Sequence, residues 1–264
     1  MNIQKNILKI ASGLADEMIK SFEMTEEEWK KYSEAHPNAK RENHTIVQKK
    51  SENGNGSKKV EMTDEQKKLH ELAINSGRNF NRKESIARDR KTHPITLDML
   101  ANGPDEYDGV YYGVHSSVAS NPNTHPKTLH KLRLDENNAT RYNVARNKNT
   151  SPDTLDELIK DKKDFVRREV AFNKNTSPET LKKLSEDYSL MVKFAVAYNK
   201  NTPEETIKQL SEHHHPLIRH AVAHNEKTPE ELKKKILDDL SLSFSEKDLS
   251  SWIDKVVYND MVRY

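Results

Sequence analysis

From residue 114 onward the apolar positions recur with one fixed spacing. Val118, Val144, Val170, Val196 and Val222 each open a Val-Ala-x-Asn segment, and the interval from one to the next never changes. Four residues before each stands a second small side chain, giving Val114/Val118, Thr140/Val144, Val166/Val170, Val192/Val196 and Ile218/Val222. Such i,i+4 pairs make one apolar edge of a short helix. A polar turn follows at 121–124, 147–150, 173–176, 199–202 and 225–228. A second helix is then expected from Pro126, Pro152, Pro178, Pro203 or Pro229, because proline suits the first helical position. Thr202-Pro-Glu-Glu205 and Thr228-Pro-Glu-Glu231 predict capping boxes there. The second helices carry Leu129/Leu132, Leu155/Leu158, Leu181/Leu184, Ile207/Leu210 and Leu232/Ile236. A period of this length marks stacked two-helix units, each unable to bury its apolar face alone.

Upstream the pattern changes. Ile3, Ile7, Ile10, Leu14 and Met18 form one helical stripe within residues 1–24. Lys5, Lys9, Asp16, Glu17 and Lys20 break it, so neither a secretory signal nor a transit peptide is expected. Thr25 with Glu28 predicts a capping box and a short helix through Trp29 and Tyr32, stopping before Pro37. Asn53-Gly-Asn-Gly-Ser57, flanked by Lys49, Lys50, Lys58 and Lys59, reads as a basic flexible linker. Thr63 and Gln66 cap a helix carrying Leu69, Leu72, Ala73 and Ile74 that is expected to end at Gly77. A degenerate first unit runs from Ile86 through Pro94 to Leu97 and Leu100. The step from Ile86 to Val118 is longer than those that follow, and the extra length falls in a polar loop over 102–109. Past Leu240, Ser245 and Asp248 frame a last helix with Leu249, Trp252, Ile253, Val256 and Val257, suited to covering the open end of a stack.

The expected fold class is therefore all-α: an α-solenoid of about six 26-residue helical repeats with capping helices at its ends. The expected division is 1–36 helical arm, 37–62 linker, 63–240 repeat domain and 241–264 capping helix.

Composition agrees with a thin-cored stack. Hydrophobic residues are 33% of the 264, below the usual share of a globule with one deep core. Lys and Arg (44) nearly balance Asp and Glu (42), so net charge favours no class of partner and only a local patch can. The chain has no cysteine, which removes disulfides, thiolate metal sites and cysteine nucleophiles and suits a reducing compartment. No apolar run approaches membrane-spanning length, so no membrane partner is expected.

Val166-Arg-x-x-Val-Ala-x-Asn173, followed by Thr-x-Pro-Glu-x-Leu-x-x-Leu184, resembles the leucine-rich repeat variant, a relative of HEAT and armadillo repeats. The likeness covers roughly residues 82–240. It implies a right-handed superhelix of α- and short 3₁₀-like helices without strands. The period here is longer than the family's usual one by a couple of residues. The founding family member's iron–sulfur segment needs cysteines this chain lacks, so no cofactor is expected. Thr25-Glu-Glu-Glu-Trp-Lys-Lys-Tyr-Ser-Glu-Ala-His-Pro37, with Asn43-His-Thr-Ile46 after it and the helix Ile7-Leu-Lys-Ile-Ala-Ser-Gly-Leu14 before it, resembles an N-terminal element of uncharacterised tailed-bacteriophage proteins. That likeness implies a phage or bacterial origin, and a place in the host cytoplasm or the virion, but no activity.

In a regular stack equivalent positions form columns, and function is sought there. The Asn column (Asn121, Asn147, Asn173, Asn199, Asn225) reads as turn structure, since Asn bonds nearby backbone. Arg141, Arg167, Lys193 and Arg219 form a basic column able to follow phosphates or an acidic segment, or to pair with Asp161, Asp164 and Asp187. Lys148, Lys174 and Lys200 form a second basic column in the turns, with no obvious acid beside it. Ser120, Arg146, Phe172, Tyr198 and His224 share one column yet differ in every unit. Aromatics and Arg there suggest an interface, or packing between layers.

His213-His-His215, and His220 with His224 four residues on, have a spacing that can bind a divalent ion, but no carboxylate or third ligand is fixed by the sequence, so no metal site is expected. His93 and His125 precede prolines at helix starts and read as structural. No phosphate-binding glycine loop, nucleophile elbow or paired carboxylates occur, so no enzyme is expected. The leading expectation is a scaffold that binds a protein or peptide on its concave face. The alternatives are a nucleic-acid binder of the HEAT-like type and a structural virion component.

Overall fold

The computed structural model describes residues 62–243 apart from 108, 109 and 112, together with Glu23–Thr25 and Thr45–Val47. The chain divides into two compact units, Met1–Leu132 and Arg133–Tyr264.

In the first unit, Glu23–Thr25 (β1) pairs in parallel with Thr45–Val47 (β2), Met24 opposite Ile46. This replaces the helical backbone expected at 23–25 and part of the expected linker. Thr45-Ile-Val47 is a β-branched run that suits extended backbone. The helices expected elsewhere in 1–36, and the rest of the linker, lie outside the described residues.

Helix α1 (Asp64–Ile74) begins with the capping box foreseen at Thr63 and Gln66. The Gln66 amide donates to Thr63 Oγ1 at 3.2 Å, and the Thr63 amide donates to Gln66 Oε1 at 3.0 Å. It packs on α2 (Phe80–Arg88) and α3 (Pro94–Ala101). The 102–109 insertion is not simply a loop: Glu106–Tyr107 (β3) pairs antiparallel with Val110–Tyr111 (β4). Asp105, just before this hairpin, accepts the Val114 amide at 2.6 Å and so starts α4 (Val114–Ser120). Helix α5 (Pro126–Leu132) completes the unit. Its core is Ile86, Leu97, Leu100, Val114, Val118, Leu129 and Leu132.

The second unit alternates first helices α6 (Asn138–Arg146), α8 (Asp164–Phe172), α10 (Leu190–Tyr198) and α12 (Pro216–Ala223) with second helices α7 (Pro152–Leu158), α9 (Pro178–Leu184), α11 (Glu204–Ser211) and α13 (Glu230–Ser243). Consecutive first helices pack directly on one another. The valine edge fills that seam: Val144, Val166, Val170, Val192, Val196, Ile218 and Val222 expose nothing. Leu155, Leu158, Leu181, Leu184, Ile207 and Leu210 close it from the second helices. In the last repeat Ile236 and Leu240 are buried and Leu232 is half-buried. The protein is thus all-α, built of regular repeated helices packed on their neighbours. The helix expected from Ser245 lies outside the described residues.

Ser151 and Ser177 cap α7 and α9, with proline next at the first helical position. In the following repeat Pro203 stands at the position equivalent to Ser177, occupies the cap itself and supplies no side-chain bond. The capping boxes expected from Thr202 and Thr228 do not form, because those hydroxyls point elsewhere. Thr202 Oγ1 donates to the Val196 carbonyl at 2.6 Å and Thr228 Oγ1 to the Val222 carbonyl at 2.5 Å. The same bond runs from Thr92 to Ile86, Thr124 to Val118, Thr150 to Val144 and Thr176 to Val170. Each threonine gives a second hydrogen bond to a carbonyl in the last turn of its first helix, which also accepts the backbone N–H three residues on.

Candidate interaction surface

Within each unit, two polar columns lock a turn to the one before it. Asn173 Nδ2 donates to the carbonyls of Ala145 (2.7 Å) and Asn147 (3.0 Å), both in the preceding repeat. Asn199 does the same to Ala171 and Asn173, Asn225 to Ala197 and Asn199, and Asn121 to Ala87 and Asp89. The amide oxygens accept the backbone N–H two residues on, as in Asn175 to Asn173 at 2.9 Å. The second column is Asn123, Asn175 and Asn201, whose amides reach carbonyls of the preceding turn. Its place in the last repeat is taken by Lys227, bonded to the Thr202 carbonyl at 3.2 Å. These columns are framework, because their side-chain donors are already spent on carbonyls of the preceding repeat.

The basic column of the first helices is largely committed too. Arg141 Nε donates to Asp161 at 2.6 Å, and Arg167 Nε to Asp187 at 2.6 Å. Both forks are two-pronged, through Nη2 to the second carboxylate oxygen. The third nitrogen of each reaches back to the loop before its own helix: Arg141 Nη1 to the Asp135 carbonyl, Arg167 Nη1 to that of Asp161. Arg167 also lies over the Tyr188 ring, 4.7 Å from its centroid. The Arg167–Asp187 side chains are only 5% and 8% exposed, so neither is offered to a ligand. Arg219 bonds the His213 and His214 carbonyls and reaches Asp239 at 3.3 Å. Lys193 stands apart: half-buried, it ion-pairs with no carboxylate among the described residues.

The variable column has the opposite character. Arg146, Phe172, Tyr198 and His224 are all exposed at the C-terminal ends of the first helices. Phe172 keeps 39% and Tyr198 57% of its surface in solvent. Phe194, buried beneath them, holds both: its ring centroid lies 6.4 Å from Phe172, edge-on, and 6.2 Å from Tyr198, stacked. Phe172 and Tyr198 meet edge-on at 6.3 Å. Centroids at these separations are favourable aromatic pairs, so the exposed rings are held in place rather than loose.

The neighbouring column, four residues earlier on each helix, is Tyr142, Arg168, Phe194 and His220, and it belongs to the same surface. Tyr142 faces Phe165 at 6.1 Å, and Arg168 pairs with Glu169 at 3.3 Å. Burial raises the Glu169 carboxyl above its ordinary range, and the Arg168 guanidinium opposes that shift. The Tyr142 hydroxyl is likewise raised, first by burial and then by Glu169. The i,i+4 relation to the variable column was available in the sequence as the signal for these residues.

Lys148, Lys174 and Lys200 line the adjacent turns and are exposed; Lys148 and Lys200 have no charged partner among the described residues. Their fellow in the last repeat is Glu226, so the positive edge stops there. The His220 and His224 rings lie 4.2 Å apart and tilted to each other, with His224 Nδ1 2.9 Å from the His220 carbonyl oxygen. Among the described residues no group of three or more His, Asp or Glu could hold a metal ion. No helix among them is long and apolar enough to cross a membrane.

Fold and surface together define an all-α repeat array whose side chains, rather than its backbone, vary from unit to unit. Comparison with protein-family models and with curated proteins finds no match to either.

Proposed function

We propose that the chain is a non-enzymatic scaffold that docks a protein or peptide on the first-helix face of its Arg133–Tyr264 unit. The observation that carries this reading is the exposed aromatic pair Phe172 and Tyr198, fixed by Phe194 and flanked by Arg146 and His224. Rigid aromatic side chains with Arg nearby concentrate binding energy in protein interfaces. The turn lysines Lys148, Lys174 and Lys200 add a positive edge, which favours a partner bearing acidic groups beside its apolar ones. Arg141 and Arg167 contribute to the frame, Lys193 and Arg219 to its margin. The bacteriophage-like N-terminal stretch supports an origin in a phage or its bacterial host, and a place in the host cytoplasm or virion.

Aromatics beside lysines also suit stacking of unpaired bases, which keeps nucleic acid as the competing reading. The test is retention of partners from host extract by the full chain and by a Phe172→Ala/Tyr198→Ala variant, with labelled single- and double-stranded oligonucleotides assayed in parallel at low and moderate salt. The proposal expects a protein retained by the parent and lost by the variant. Oligonucleotide binding that falls steeply with salt and disappears on Lys148→Glu/Lys174→Glu/Lys200→Glu would instead establish the nucleic-acid reading.

A further inference from the structure

The arginine–aspartate ladder of the second unit contains one break. Its acid register runs through Asp135, Asp161, Asp187 and His213 in the loops and Asp239 within α13, one per repeat, and its basic positions on the first helices are Arg141, Arg167, Lys193 and Arg219. Each arginine contacts the carbonyl of the loop six residues before it and the carboxylate twenty residues after it, as Arg167 does with Asp161 and Asp187. Applied to Lys193, that rule points to position 213, where a histidine stands in place of the acid.

His213 takes over only half of the aspartate's work. Asp135, Asp161 and Asp187 each accept the amide two residues on through Oδ1 at 2.8–2.9 Å. His213 Nδ1 accepts the His215 amide in the same way at 3.1 Å. This fixes Nδ1 as the acceptor and leaves the ring neutral. No carboxylate among the described residues pairs with Lys193, while Arg219 anchors on the His213 and His214 carbonyls from the next helix. His214 stacks on His213 at 4.3 Å. The His213 imidazole is held below its ordinary value first by burial and then by His214, Lys193, His215 and Arg219, every one a base.

We infer that the break is an oxyanion-binding site, in which a carboxylate or phosphate group takes the place beside Lys193 that the side-chain carboxylates of Asp161 and Asp187 fill beside Arg141 and Arg167. Two preceding repeats complete the arrangement internally, Arg141 with Asp161 and Arg167 with Asp187, whereas Lys193 has a histidine in that register. The group comes either from a free oxyanion or from an Asp or Glu side chain of a bound polypeptide. The site lies on the first-helix edge and does not depend on the aromatic surface being a docking face.

The experiment is thermal unfolding of the full chain at pH 7.5 and constant ionic strength, with chloride replaced stepwise by phosphate. An acetylated, amidated tri-glutamate peptide and its tri-glutamine counterpart are added in separate series. The parent is compared with His213→Asp, which restores the residue its neighbouring loops use and so folds, and with Lys193→Ala. The expected result is a saturable rise in Tm of the parent, about 3–5 °C at tenfold excess over Kd. His213→Asp raises the baseline Tm and abolishes the increment, and Lys193→Ala abolishes the increment without that gain. Any general salting effect of phosphate appears equally in His213→Asp and is subtracted. A response to phosphate alone identifies a free anion, and one to glutamate but not glutamine peptide identifies a polypeptide carboxylate. No saturable increment from either, or an equal one in His213→Asp, overturns the inference.

Discussion

Asn199 Nδ2 sits 2.6 Å from the carbonyl oxygen of Ala171 and 3.1 Å from that of Asn173, in the preceding repeat. Both bonds are buried, and the side-chain oxygen is occupied by the Asn201 amide at 2.8 Å. One side chain therefore closes its own turn and ties that turn to the helix end before it.

Replacing Asn199 should cost more than its size suggests. Asn199→Ala removes three hydrogen bonds, two of them buried, a loss of about 2–4 kcal/mol. Asn199→Asp keeps the acceptor but sets a carboxylate against two carbonyl oxygens, and should destabilise at least as much. Urea unfolding followed by circular dichroism checks both; an Asp variant near parental stability would contradict the assignment.

Arg167 and Asp187 form the most enclosed ion pair of the ladder. Removing one partner, as in Arg167→Ala, leaves a buried charge and should cost about 3–5 kcal/mol. Arg167→Met/Asp187→Leu should recover most of that loss, since an apolar pair of similar size avoids the desolvation penalty. The measurement is a double-mutant cycle by chemical denaturation, with a large coupling energy expected.

The first unit should weaken in mild acid. Burial, and secondarily His70, lowers the His93 imidazole from 6.5 to about 4. A His93 whose folded value lies below its unfolded one binds more protons when unfolded. Its contribution is therefore full above pH 6.5 and is lost as pH falls from 6.5 towards 4. Allowing for screening at a half-buried group, the loss is on the order of 2 kcal/mol. His70, on which burial also lowers the value, adds in the same direction. Unfolding curves between pH 7 and 4 should show the decline, and His93→Gln should flatten it.

Phe172 and Tyr198 should prove dispensable for the fold. Because they are exposed over the seam rather than within it, Phe172→Ala and Tyr198→Ala should each cost about 1 kcal/mol or less. Val170→Ala, in the fully buried seam beside them, should cost several times more. Thermal melts of the three variants decide it.

Much of this was legible before any coordinates. The valine edge, the leucines of the second helices and the Asn turns share one unchanging period, and a column that never varies in a stack is one that packing or backbone bonding fixes. What escaped had local competitors. Thr202-Pro-Glu-Glu205 has the letters of a capping box, but its threonine is already spent on the Val196 carbonyl. The pairing of Arg167 with Asp187 did not escape: it is one of the readings the basic column allows, and it is the one observed. Phe194 and Tyr142 were hidden because the Val-Ala-x-Asn frame draws attention to its one variable slot. The strands in 23–25, 45–47 and the inserted segment follow no period at all.

The most direct test of the proposed docking face is site-specific photo-crosslinking in host cells. A photoreactive side chain is placed at Tyr198, and at Lys182, exposed on a second helix, as the control. A discrete protein adduct from position 198, absent from position 182 and lost on Phe172→Ala, is the predicted result. Equal labelling from both positions, or an adduct from 198 that nuclease removes, would contradict it.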